Sequence, residues 1–206
     1  MSGSRVRGFV LCGLVVAVGV GAGCGGARDA RHPATVAAPT PTPTPLATDG
    51  AAWVGTIEAP AGMTAVDDAA LLALAVGAPG QGKLCAGRVY QVTAPTTVYR
   101  VWTAAKAYTQ LGGWWSFTAP RGPRAAYQRD NAICAEWSAL DTVSSCTIKL
   151  GTRIVVGPGQ SADCEGDADF AASATNQVFI PNDTRKGQLF VEGCTAGVPW
   201  PAAAAP

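Results

Sequence analysis

The chain has 206 residues, 48% hydrophobic and 14% charged, with a formal net charge of +1. This near-neutral balance leaves no basic footprint for nucleic acid and no polybasic patch for lipid head groups. The single histidine, His32, lies in an N-terminal stretch outside the apolar runs, which excludes a Ser-His-Asp triad, a Cys-His pair and a His-bearing zinc site from the folded part.

Residues 1–23 read as an export signal. Arg5 and Arg7 form its basic start, Phe9 to Val20 its apolar middle, and Gly21-Ala22-Gly23 its small-residue end. The apolar part is shorter than the roughly 20 residues a membrane span needs. Ending on Cys24, the segment resembles a bacterial lipoprotein signal, in which the cysteine becomes the first mature residue and carries the lipid. Gly21 stands where an aliphatic residue is usual in such signals; an ordinary secretory signal cut nearby is the alternative. The expected location is the extracytoplasmic face of a cell membrane, with lipidated Cys24 as the anchor.

Residues 24–49 read as a tether. Proline fixes φ and lacks a donor, so the run Pro39-Thr40-Pro41-Thr42-Pro43-Thr44-Pro45 is expected to stay outside any sheet. It is expected to extend by about 3 Å per residue. Its threonines are either bare or carriers of sugars.

Residues 50–200 are expected to form one domain of roughly 150 residues. Without Arg5 and Arg7 the formal balance falls from +1 to −1. Of seven cysteines, Cys12 leaves with the signal and Cys24 is the lipid candidate. Five remain, which in an oxidising compartment allows two bridges and one thiol. The expected bridges are Cys134–Cys146 and Cys164–Cys194, leaving Cys85. No spacing fits a zinc pattern, and no metal is expected.

Within the domain, residues 63–76 read as a helix, with Thr64 as a candidate cap and Asp67 and Asp68 in the first turn. Residues 88–93 and 97–102 are β-rich and separated by Pro95. In the second run Val98, Arg100 and Trp102 share one face. Arg100 is either an edge arginine whose stem lies on Trp102 or a cleft arginine whose fork binds phosphate. Residues 104–111 are a helical turn or a loop. Gly112-Gly113 then precede Trp114, Trp115 and Phe117, rings that fill core or stack on a flat ligand. A turn at 120–123 leads to an expected helix over 124–140, which carries Arg129. Strands are expected at 146–150 and 153–156, the second ended by Gly157-Pro158-Gly159-Gln160. The acidic run 163–169 misses the EF-hand pattern at Ala168 and Ala174 and reads as a solvated loop. Strands at 176–180 and 188–193 close the sheet. An Ala/Pro-rich end begins at Pro199, with 201–206 as a disordered tail.

The order of these pieces resembles the NAD glycohydrolase branch of the ADP-ribosyltransferase-like toxin domains. The resemblance rests on Tyr99-Arg100-Val101-Trp102, Gly113-Trp114-Trp115-Ser116-Phe117-Thr118-Ala119-Pro120, Tyr127-Gln128-Arg129, Val156-Gly157-Pro158 and Asn176-Gln177-Val178-Phe179. It implies an α+β fold, with small mixed or antiparallel sheets forming a central cleft beside a few short helices. It implies that Arg100 holds the NAD pyrophosphate, that Trp115 (or Trp114) packs on nicotinamide, that Arg129 supports the phosphates, and that Gln177 contacts the nicotinamide ribose. Arg100 and Gln177 are then the catalytic pair, and NAD is substrate rather than cofactor. Where relatives carry a glycine-rich run before the glutamine, this chain has Ala171-Ala172-Ser173-Ala174-Thr175-Asn176, whose side chains narrow the approach.

A histidine-free site suits this chemistry. Nicotinamide leaves as a neutral group, so no general acid is required. The site has to orient the ligand and place dipoles where positive charge develops. The implied function is a surface-anchored NAD glycohydrolase. A non-catalytic envelope lipoprotein or binding module, and a mono-ADP-ribosyltransferase with a protein acceptor, are the alternatives. An inhibitory partner protein is compatible with the first reading.

Overall fold

The computed structural model describes residues 46–47 and 54–201. The signal, Cys24, the Thr-Pro run and residues 202–206 lie outside the described residues. In chain order the elements are β1 (Leu46–Ala47), β2 (Met63–Ala65), α1 (Ala69–Ala75), β3 (Ala86–Val92), β4 (Thr96–Trp102), β5 (Trp114–Trp115), α2 (Arg124–Asp130), β6 (Thr142–Ile148), β7 (Arg153–Gly159), β8 (Ser173–Phe179), β9 (Val191–Glu192) and β10 (Val198–Pro199). Short 3-10 turns cover Ala107–Leu111 and Thr184–Lys186. The domain is α+β, with mostly antiparallel sheets. No helix among the described residues is long and apolar enough to cross a membrane.

One sheet runs β1-β3-β7-β8-β5, with β2 also on β3; the other runs β10-β6-β4, with β9 also on β6. They meet at a bridge where Tyr99 N donates to Ser116 O at 2.8 Å and Ser116 N returns a bond to Tyr99 O at 2.9 Å. β7 shows why the sheets stack. Its residues alternate between two apolar environments, as a period of two requires. Ile154 and Val156 join Val98, Trp115, Cys146, Ile148 and Val178 in the core between the sheets. Val155 joins Val89, Leu71 and Ala75 under α1 on the outer face. Each fully buried aliphatic of this kind contributes about 1.5–3 kcal/mol.

Several expectations change. The first helix starts at Ala69, and its cap is Asp68, whose Oδ1 accepts from Leu71 N at 3.0 Å; Thr64 is in β2 instead. The second helix ends at Asp130, ten residues short of the expected end at Leu140. Asn131 caps it, with Nδ2 donating to Tyr127 O at 2.9 Å, and Ala132 turns left-handed at φ 48°. Residues 131–140 then run as turns and irregular chain. Leu46 and Ala47 lie past the last tether proline, retain their amides, and pair with Gly87 and Ala86 on the edge of β3. Pro199 is in β10 and Trp200 is buried against Val101 and Leu140, so the end of the domain is packed through Trp200.

The four bridge cysteines are those expected, but the pairing is Cys134–Cys164 and Cys146–Cys194. Topology decides this. The β6/β9 register sets Ile148 opposite Val191 and Thr147 opposite Glu192, which brings Cys194 beside Cys146. Cys134 sits instead in a small cluster with Ala132, Ala162, Cys164 and Phe170. Cys85 is the buried free thiol, its pKa pushed up by burial.

Candidate functional site

A cleft of about 370 Å³ opens on the outer face of the larger sheet, between that sheet and the irregular segment 131–140. β8 supplies Gln177 and β5 supplies Trp114 to its floor. Trp114 pairs with Phe179, so Gln177, two residues earlier on β8, shares its face. The Trp114 and Phe179 rings touch at 5.1 Å. Segment 131–140 supplies Asn131, Ile133 and Trp137 to one wall, and Lys83 lines the cleft beside it, following Gly82, whose backbone lies against the Trp137 ring.

Arg100 reaches the cleft through the seam between the sheets. Beyond the Tyr99–Ser116 bridge the ladder between β4 and β5 stops, and the guanidinium takes its place. Nη1 donates to Trp114 O, and Nε donates to Thr109 O at 2.6 Å. Gly112 lies against Nη2, where any side chain would collide. From this seam Arg100 lines the cleft and also a second cavity of about 390 Å³ on the Thr109–Gly112 side. No carboxylate among the described residues lies within ion-pair distance of it. Burial pulls its pKa down to about 10, so it stays charged at neutral pH. A buried cation with two carbonyl partners and no counter-ion has donors to spare for an anion.

Gln177 is buried, and its Nε2 donates to Asn131 O at 2.9 Å. That bond fixes the orientation of the amide and leaves Oε1 with no donor among the described residues. Gly159 on β7 makes room for it: a Cβ there would sit 2.6 Å from Nε2. Tyr127 also lines the cleft, and burial pushes its phenol up to about 12, against a small opposing pull from Arg100.

The remaining sequence-derived residues are placed differently. Trp115 lies at the base of the cleft but is 3% exposed; its ring belongs to the inter-sheet core, with the Arg100 guanidinium 5.9 Å from its centroid. Adjacent strand residues face opposite ways, so the ring free to meet a ligand is Trp114. Arg129 does not join the site. Its side chain is 66% exposed on α2, with Nε 3.8 Å from Asp130 Oδ1. Cys134, Glu136 and Cys164 cluster closely, but the two sulfurs are already bonded to each other and offer no thiolate to a metal.

Sequence reasoning missed Lys83 and treated Trp137 only as a helix residue. One backbone signal marks the cleft. Three described non-glycine residues have positive φ, Lys83 at 64°, Ala132 at 48° and Leu140 at 47°, and all three line it. Such conformations persist only where the surroundings enforce them, and they concentrate at functional sites. None of the lining residues is Asp or Glu, although the domain as a whole is slightly acidic.

No family model matches the chain, and it matches no curated protein and no solved structure. The site therefore stands on its own geometry.

Proposed function

We propose that the domain binds NAD, or a nucleotide of that kind, in this cleft and hydrolyses the bond to nicotinamide, acting from the membrane face to which Cys24 anchors it. The observation that carries this reading is the meeting of Arg100, Trp114 and Gln177 in one cleft that no carboxylate lines. A pyrophosphate would return to Arg100 the charge interaction that burial has taken from it. Trp114, rather than Trp115, offers a ring face for nicotinamide. The free Oε1 of Gln177 would accept from a ribose hydroxyl and so orient the sugar while positive charge develops on it. The ribose carbon–nitrogen bond then breaks with its electron pair on nicotinamide, which departs as a neutral molecule, while water bonds to the ribose carbon and releases one proton to solvent. A volume of about 370 Å³ suits one half of a dinucleotide, with the other half lying across the rim.

A non-catalytic binding lipoprotein is the second reading. It is favoured by one observation: Arg100 Nε and Nη1 and Gln177 Nε2 all donate to main-chain carbonyls, as residues that clasp a fold do. Two assays on the full chain separate the readings: tryptophan quenching as NAD is added, and chromatographic release of nicotinamide. Hydrolysis requires both signals in the wild type. It also requires release, but not binding, to be lost in Gln177→Ala, and both to be weakened in Arg100→Lys. Quenching without release selects the binding module. Label transferred from NAD onto a protein selects the transferase. Silence in both assays at millimolar NAD rejects an NAD site.

A further inference from the structure

We propose that Lys83 and Trp137 form a recognition lip on the cleft, Trp137 stacking on the ligand's second base and Lys83 pairing with its phosphate, so that the site selects phosphorylated nucleotides over nucleosides. This rests on reading the cleft as a nucleotide site. The two residues come from segments far apart in the chain and meet at Gly82. The Trp137 ring lies on the Gly82 backbone, where a Cβ would sit 2.9 Å from the ring. Gly82 has φ +65° and Lys83 follows at 64°, so two successive residues are left-handed. A lysine holds that conformation only where its surroundings enforce it. The turn carries the Lys83 stem across Gly77, where a Cβ would sit 3.2 Å from the lysine Cβ and Cδ. The ammonium makes no ion pair with a described residue, and the cleft it lines has no acid.

Trp137 is 47% exposed, an unusual state for an indole that also lines a cavity. Its position is not loose. Its amide donates to Cys134 O at 3.0 Å, and Cys134 is bridged to Cys164. A fixed, half-open indole beside an unpaired ammonium matches a planar base joined to a phosphate.

The experiment is equilibrium binding of adenosine, AMP and NAD to the full chain and to Trp137→Ala and Lys83→Asn; asparagine tolerates the left-handed backbone. Both side chains are exposed, and unchanged urea midpoints confirm intact folds. Trp137→Ala is expected to weaken all three probes by about tenfold. Lys83→Asn is expected to weaken AMP and NAD several-fold, spare adenosine and flatten the salt dependence. Adenosine bound as well as AMP, or AMP and NAD unaffected by both substitutions, overturns the lip. AMP binding that shows these sensitivities while nicotinamide is never released keeps the lip and removes the hydrolase. Release that ignores both substitutions does the reverse. Absence of binding by all three probes overturns both.

Discussion

Trp114 and Trp115 are neighbours on one two-residue strand and belong to different regions of the molecule. Trp115 points inward, where Val98, Ile148, Ile154 and Val178 surround it, and its indole N–H is satisfied by Gly112 O at 2.8 Å. Trp114 points outward to the cleft, whose walls carry amides, an ammonium and three left-handed residues. The inner region is built by local rules: β-branched residues alternate and the strands pair antiparallel, with a register shift only at Pro158/Gly159 and with buried Trp102 Nε1 and Ser144 Oγ left without a partner among the described residues. The outer region breaks those rules where a ligand would sit. The difference teaches that left-handed backbone gathers in the segments around the cleft, while the space between the sheets is filled by alternating apolar side chains.

The comparison breaks first where packing is densest. Ile154→Ala removes a fully buried side chain from the inner region and is expected to cost about 2–5 kcal/mol in urea unfolding. Ligand affinity of the folded fraction is expected to stay unchanged, because the residue faces away from the cleft.

The two disulfides sharpen the contrast. Replacing Cys146 and Cys194 by serine, or Cys134 and Cys164, is expected to cost about 2–4 kcal/mol in either case. Only the second pair pins the wall that carries Asn131 and Trp137, so only its loss is expected to weaken nucleotide binding as well. Calorimetric titration of both double variants checks this.

Tyr127 tests burial of the cleft wall. Its phenol is held neutral up to about 12, above an ordinary value of 10. Between those values the unfolded chain loses the proton and the folded chain keeps it, so the phenol's contribution is full below pH 10 and falls as pH rises toward 12. Arg100 acts oppositely over the same range. Tyr127→Phe removes only the falling part, so its stability relative to wild type is expected to rise by about 1–3 kcal/mol between pH 10 and pH 12. Parallel stability profiles for the two proteins would show that the wall is not packed there.

Smallest is Ala132→Gly. At φ 48° alanine is strained and glycine is not. The variant is expected to be more stable by up to about 1 kcal/mol, read as a raised urea midpoint.

How far the sequence was legible follows the same division. β4 was readable because Val98, Arg100 and Trp102 alternate with Tyr99 and Val101, and β8 was found at its apolar end, Val178-Phe179, although the strand begins at Ser173, three residues before the expected start at 176. Placing Arg100, Trp115 and Gln177 together, with Trp114 as the competing ring, came from the order of motifs; all four line one cleft, but the Trp115 ring belongs to the core and Trp114 is the ring that faces the opening. The wall was not readable. Tyr127, Ile133, Trp137 and Leu140 recur at spacings that mimic a helix, while a left-handed Ala132 and a tertiary disulfide break the chain there. Cysteine pairing was hidden for a related reason: it depends on which strand edge β9 joins. Arg129 followed its motif onto α2, but the turn of that helix presents it to solvent. Lys83 had no local signal, since nothing in Gly82-Lys83-Leu84 announces a left-handed lysine.

The most direct measurement is release of nicotinamide from NAD by the full chain, with binding followed in the same samples. Release that disappears in Gln177→Ala while quenching by NAD persists is the expected result. Full release in Gln177→Ala, or no quenching at millimolar NAD in the wild type, would contradict a cleft that grips the dinucleotide and orients its ribose.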